Sequence, residues 1–257
     1  MLPWLPPCPV HFPPVEEALD DPDGLLAAGG ALTPEWLLAA YRRGIFPWYG
    51  DDQPILWWSP DPRMVLRPEA LRVSRSLAKR LRNAGFRVTA DRAFDAVVAA
   101  CAGPRDGQPG TWITAAMRQA YGRLHALGAA HSVEVWRGDR LVGGLYGVAL
   151  GPVFFGESMF SREPDASKVA LVRLARAMAS GGGRLIDCQM HTAHLASLGA
   201  RDIARKTFIG YLEEWLGCPD EDATSTDRFL PACWSFASLE DPPAPTTERP
   251  EPGREPP

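Results

Sequence analysis

The chain has 257 residues, enough for one substantial core or for a larger and a smaller domain. Its 46% hydrophobic and 23% charged residues exclude a predominantly disordered chain, and no apolar run approaches the roughly 18 to 20 residues of a transmembrane helix. The net charge of −4 speaks against a nucleic-acid partner only until it is divided along the chain: the residues from Glu213 onward hold 11 acidic and 3 basic groups, leaving a net +4 on the first 212.

The first sixty residues are rich in Gly, Pro and Trp and contain one clear helix. Thr33 is placed to cap it, Pro34 suits its first turn, Trp36, Leu37, Leu38 and Tyr41 supply apolar contacts, and Gly44 stops it. The following IFPWYGDDQPILWWSPDPR is expected as a structured loop rather than a regular element. Between Arg63 and Arg87, the eight cations Arg63, Arg67, Arg72, Arg75, Lys79, Arg80, Arg82 and Arg87 face only Glu69, the electrostatic footprint a phosphate backbone needs or else an ordinary solvated face. Helices are expected over 75–83 and 114–127. SVEVWRGDRLVGGLYGVALGPVFFGESMF reads as consecutive strands with turns at Arg137–Arg140 and Gly151–Pro152. Leu171, Leu174, Ala175 and Met178 recur at helical spacing before glycines 181–183, and RLIDCQM follows as a short strand. Strands, a helix and a further strand give an α+β fold. The Pro-rich tail is expected to be disordered.

Several chemistries find little support. There is no GxxxxGK[ST] loop, no GxSxG elbow and no GxGxxG after a strand. The five cysteines, Cys8, Cys101, Cys188, Cys218 and Cys233, are scattered without a CxxC pair, so reduced thiols are expected. His191 and His194 lie three apart with only Asp187 and Cys188 near, so no metal site is expected. The N-terminus MLPWLPPCPV lacks a basic start and is broken by prolines, and a cytoplasmic protein is expected.

Polar residues inside apolar strands are the informative constellation. In RLIDCQM a regular strand would point Asp187 and Gln189 to one face, where they would relay hydrogen bonds to an amine or cap a neighbouring loop. Glu157, expected to share its strand face with Phe155 and Met159, needs a partner for its charge. That partner is either a cationic substrate or an internal one such as Arg162 or Lys168. Of nine tryptophans, Trp48 and Trp112 lie in loops, where they would stack on nucleobases or fill core.

The stretches DGLLAAGGALTPEWLLAAYRRGIFPWY, ILWWSPDPRMVL, GTWIT, HSVEVWRGDRLVGGLYGVALG, GESMFSREPDASKVAL and LIDCQMHTAHLASLGARDIAR, together with FPPVEEAL, closely resemble the bacterial leucyl/phenylalanyl-tRNA–protein transferases, in order over most of residues 12–211. The resemblance implies a small N-terminal α/β domain (1–62), a GNAT-like acyltransferase domain (63–238) and a disordered tail (239–257). It implies transfer of Leu, Phe and less readily Met from aminoacyl-tRNA to proteins beginning with Arg or Lys, marking them for N-end rule degradation, with no metal and no coenzyme A. No [QR]xxGx[GA] loop for coenzyme A is present. Carried over by position, Asp187 and Gln189 form the catalytic relay and Glu157 attracts the basic acceptor. Trp48 and Trp112 hold the terminal adenosine, and Leu145, Phe154, Met159, Leu174 and Ile186 line the pocket for the aminoacyl side chain. A soluble monomer without a membrane partner is expected. A tRNA-dependent acyltransferase acting on another peptide, or a non-catalytic RNA-binding module, are the competing readings.

Overall fold

Local sequence chemistry sets most element boundaries in a computed structural model, which describes residues 2–103, 113–217 and 231–239. After the short strands β1 (Trp4–Leu5) and β2 (Leu25–Gly29) comes helix α1 (Pro34–Arg42), with Thr33 as its N-cap and Pro34 at its first position. Gly44 ends it at φ 71°, where a Cβ would come within 2.6 Å of Ile209 Cδ1. The left-handed conformation favours glycine there, while the Ile209 side chain could move aside.

The stretch after α1, expected as loop, holds two short strands, β3 (Phe46–Pro47) and β4 (Leu56–Trp58), paired antiparallel. They are too short to show an alternation that sequence could reveal. Together the first four strands form a sheet in the order β1-β2-β4-β3. Its interior is an aromatic cluster: the Phe12 ring meets Trp36 and Trp57 edge-on at 5.0 and 4.9 Å, and the two indoles stack at 5.8 Å.

The second sheet begins with β5 (Arg63–Leu66), followed by α2 (Arg75–Asn83), β6 (Arg87–Ala90), α3 (Phe94–Cys101) and α4 (Ala115–Ala126). Ser74 and Thr114 cap α2 and α4 by accepting from Leu77 N at 3.2 Å and Met117 N at 3.1 Å. Then come β7 (Ala130–Arg137), β8 (Arg140–Leu150), β9 (Val153–Ser161), α5 (Ala166–Gly181), β10 (Leu185–Gln189), α6 (Ala193–Ser197), β11 (Arg201–Ile203) and α7 (Arg205–Leu216). The strand order is β11-β5-β10-β9-β8-β7-β6. All neighbours are antiparallel except β9 and β10, joined through α5. This is the mixed α+β arrangement expected from the sequence.

Each face of this sheet buries its own core. On one face α1, α3, α4 and α7 contribute Tyr41, Val97, Met117, Tyr121, Phe208 and Leu212, and this cluster continues into the first sheet through Trp36 and Trp57. On the other, α5 lays Val169, Leu171, Leu174 and Met178 against Leu145, Phe154 and Ile186. At about 1.5 to 3 kcal/mol for each fully buried large aliphatic side chain, α5 is held by packing far more than by its own propensity. The tail expected to be disordered lies, apart from Leu239, outside the described residues, as does Trp112. Among the described residues, no helix is long and apolar enough to cross a membrane.

Candidate active site

The site forms where the parallel pair β9 and β10 separates. Backbone pairing holds Leu185, Ile186 and Asp187 to Val153, Phe154 and Phe155, and then stops. Beyond that point Glu157 and Gln189 are joined by side chains alone: Gln189 Nε2 donates to Glu157 Oε1 at 3.0 Å.

Two irregularities aim these residues. On β9 the register steps from Tyr146 opposite Ser158 to Gly147 opposite Gly156, leaving Glu157 as the extra residue of a bulge. The bulge reverses the alternation. Phe155 lies with Glu157 on the tyrosine-lined face, but Met159 turns to the α5 face, contrary to the expected sharing of one face. On β10 the register steps from Asp187 opposite Val65 to Gln189 opposite Met64, so Cys188 is extra. Gln189 then takes φ 62°, a left-handed conformation uncommon outside glycine. Asp187 Oδ1 stabilises this turn by accepting the Gln189 backbone N–H at 2.9 Å.

The acid–amide pair is therefore linked through the backbone, while the Gln189 carboxamide reaches Glu157. Both Asp187 oxygens are occupied by Arg63, whose Nε donates to Oδ1 at 2.8 Å and Nη2 to Oδ2 at 2.7 Å. Arg63 is fully buried, which corrects its place in the expected surface patch. Its guanidinium lies between the Phe46 and Phe208 rings, 4.8 and 4.7 Å from their centroids, and its Nη1 donates to Gly44 O at 2.9 Å. One side chain thus ties the end of α1 to the start of β5 and the turn of β10. Sequence reasoning missed Arg63 because a buried arginine and an exposed one look alike in a basic run.

Glu157 is buried among donors rather than cations. Tyr41 Oη donates to Oε1 and Tyr121 Oη to Oε2, each at 2.7 Å. The two phenols also touch each other. The internal salt bridge considered from sequence does not form: Lys168 Nζ pairs with Asp165 at 2.7 Å, and Arg162 lies over the Phe160 ring. Burial pushes the Glu157 carboxyl up to about 7, the nearby Asp187 charge adds to the rise, and the hydrogen bonds from Tyr121, Tyr41 and Gln189 oppose it. Burial and the Glu157 charge raise both tyrosines well above the usual phenol range, keeping them as donors. Tyr41 was visible in the sequence only as a core residue of its helix and Tyr121 not at all, since a tyrosine on an apolar helix face reads as packing.

Tyr121→Phe removes one hydrogen bond that opposes the rise, so the Glu157 titration moves further up, by about one unit. The pH profile of any Glu157-dependent step is expected to shift by that amount. An unmoved profile would show that the phenol does not tune the acid.

The remaining candidates divide. Leu145, Phe154, Leu174 and Ile186 are buried together on the α5 face, with Met159 half-buried beside them. Phe154 opposes Ile186 across β9 and β10, and Leu145 opposes Met159 across β8 and β9. Trp48 is 38% exposed, its ring edge-on to Trp58 at 5.4 Å, while Trp58 Nε1 donates to the Trp48 carbonyl at 2.6 Å. Burial raises the Cys188 thiol far above its usual range, which keeps it protonated and poorly nucleophilic. His191 Nδ1 contacts Asp202 Oδ2 at 2.8 Å, and among the described residues no three metal-ligating groups converge.

The family model for the leucyl/phenylalanyl-tRNA protein transferase matches residues 65–213, and the model for its N-terminal domain matches 30–61. The chain belongs to this transferase family. A leucyl/phenylalanyl-tRNA–protein transferase from Chromohalobacter salexigens is 70% identical over 219 residues, covering 85% of this chain and 86% of the relative. One from Thiobacillus denitrificans is 61% identical, covering 89% and 96%. Two solved structures show distant likenesses. A GCN5-related N-acetyltransferase from Kribbella flavida matches at TM-score 0.32 and 14% identity over 66% of this chain and 61% of that one. L-PGS from Bacillus licheniformis matches at TM-score 0.36 and 12% identity, over 67% and 57%. The separated β9 and β10 strands and the Glu157–Gln189 contact both lie within the stretch that the larger family model covers.

Proposed function

We propose that this transferase moves leucine or phenylalanine, and less readily methionine, from aminoacyl-tRNA to the N-terminus of cytoplasmic proteins that begin with arginine or lysine, marking them for degradation. The observation that carries the reading is Glu157: a buried carboxylate that accepts hydrogen bonds from three neutral groups and lies beside the exit of the β9–β10 separation. A cationic side chain of an acceptor supplies the counter-charge that the protein leaves out.

At the carbonyl carbon one bond forms and one breaks, and one proton moves from nitrogen to oxygen. The acceptor's α-amine attacks the ester carbonyl carbon of the aminoacyl group, the C–O bond to the terminal ribose breaks, and the amine proton ends on the released ribose hydroxyl. The ester is already activated, so placement accounts for most of the acceleration. Because Gln189 turns its Nε2 toward Glu157, its carbonyl oxygen points away and accepts an N–H of the incoming amine. Asp187 holds the Gln189 backbone and is itself held by Arg63, so it acts as a positioning residue rather than as the proton's destination.

In this reading the apolar group on the α5 face, Leu145, Phe154, Met159, Leu174 and Ile186, receives the aminoacyl side chain, with Met159 at its mouth. Trp48, together with Trp112, stacks on the terminal adenosine; such a contact is worth about 1 to 3 kcal/mol per base. The N-terminal domain is assigned to 1–62 and the catalytic domain to 63–238, and the protein acts as a monomer without a cofactor.

The test is label transfer from Leu-, Phe- and Met-tRNA to proteins differing only in a first residue of Arg, Lys or Ala. Transfer to Arg and Lys, with little to Ala, is expected. Transfer indifferent to the first residue would reject the role of Glu157, and no transfer from any tRNA would reject the donor.

A further inference from the structure

A second basic feature lies at the β11 edge of the large sheet. Arg67, Arg72 and Arg201 surround a notch of about 260 Å³ whose floor is Ala70, Gly199 and Ala200. That is several times the ~30 Å³ share of a water molecule, enough for a hydrated phosphate group. The notch is built by close backbone contacts. Arg72 N donates to Leu198 O at 2.8 Å. Gly199 has φ 102°, and a Cβ there would come within 2.5 Å of Ala70 O, so only glycine lets the two segments meet.

Arg72 and Arg201 are exposed and have no ion-pair partner among the described residues. Arg67 has only Glu69 as an ion-pair partner among the described residues, at 3.7 Å and with side chains 41% and 61% exposed, a pairing of little strength. The cationic row extends beyond the notch. Arg67 also borders a neighbouring depression that contains Arg184 together with Glu69 and Glu214. Between these two arginines, Tyr211 and Trp215 stack face to face at 4.9 Å, with Arg67 over the first ring at 5.8 Å and Arg184 over the second at 5.3 Å. Arg184 meets Glu214 only at 3.7 Å. A row of arginines partly oriented by aromatic faces suits a polyanion better than a single small anion.

Its position fits the donor. Asp187, Val65 and Arg201 occupy one cross-strand row, so the Arg201 backbone lies about two strand spacings of ~4.8 Å from Asp187. We infer that the notch of Arg67, Arg72 and Arg201 holds backbone phosphates of the donor RNA a few nucleotides from the aminoacylated end. This rests on aminoacyl-tRNA being the donor. The arginines act there as charge-assisted hydrogen-bond donors to phosphate oxygens, without reading bases.

The test compares wild type, Arg72→Ala/Arg201→Ala and Arg72→Lys/Arg201→Lys in binding Phe-tRNA across a series of KCl concentrations, and in transfer from 3′-O-phenylalanyl-adenosine, a donor without phosphates. The alanine pair is expected to bind Phe-tRNA roughly tenfold more weakly, with the slope of log K against log salt reduced by about 2, one for each lost phosphate contact. The lysine pair retains most of the affinity, and transfer from the phosphate-free donor is unchanged in both. Unchanged Phe-tRNA affinity and salt slope in the alanine pair overturn the notch alone. An equal loss with both donors also overturns it, since it would mark a structural defect. A wild type that uses neither donor would reject the donor itself.

Discussion

Arg63→Ala is expected to lower unfolding stability by about 3 to 5 kcal/mol, because it leaves Asp187 as an uncompensated charge in a site closed to water. In a chain of this length that corresponds to a fall of roughly 10 °C in Tm, readable by calorimetry. The loss has several parts: two hydrogen bonds to Asp187, one to Gly44 and the stacking between Phe46 and Phe208. Removing both partners separates stability from positioning. In Arg63→Met/Asp187→Leu the buried charge is gone, and much of the stability should return, since apolar residues of similar volume commonly replace a buried ion pair without loss. Nothing would then accept the Gln189 N–H, so its left-handed turn loses its support. Single-turnover transfer should stay at least tenfold down in the stable double variant. Recovery of both stability and rate would show that Asp187 has only a structural role.

This division explains how far the sequence could be read. Thr33, Pro34 and Gly44 announced α1, and the spacing of Leu171, Leu174, Ala175 and Met178 announced α5, because caps and helical periodicity are local signals. Asp187, Gln189 and Glu157 stood out as polar residues in apolar strands. Their partners did not stand out. Arg63 is 124 positions from Asp187, and Tyr41 is 116 from Glu157. Such pairs exist only after the sheet has closed. The bulges at Glu157 and Cys188 are also silent in the sequence, since each adds one residue to a strand whose composition is unchanged. That is why the expected face of Met159 was wrong, and why the link between Asp187 and Gln189 was expected between side chains.

Glu157→Gln should reveal the conflict between binding and stability at this position. The folded carboxyl titrates near 7 against an ordinary 4.5, so the native state holds its proton more tightly than the unfolded chain. Stability conferred by the protonated form is complete below about pH 4.5 and is lost as the pH rises to about 7. Above that, holding the buried charge costs roughly 3 kcal/mol. Glutamine carries no such cost and retains groups to meet both tyrosines, so the variant should be more stable than wild type at pH 8, by up to that amount. The difference should vanish near pH 4. Acceptor recognition moves the other way. A cationic first residue stabilises the ionised carboxyl, so the KM of wild type for an Arg-initiated acceptor should fall as the pH rises through about 7, while that of the variant stays flat and at least tenfold higher at pH 8. The acceptor's α-amine titrates near 8 in both proteins and leaves this difference intact. An Ala-initiated acceptor completes the argument, because it has no side-chain charge to lose: its KM should change little between the two proteins. If Arg- and Ala-initiated acceptors weaken equally, Glu157 shapes the site without sensing the cation, and its raised pKa belongs to packing alone.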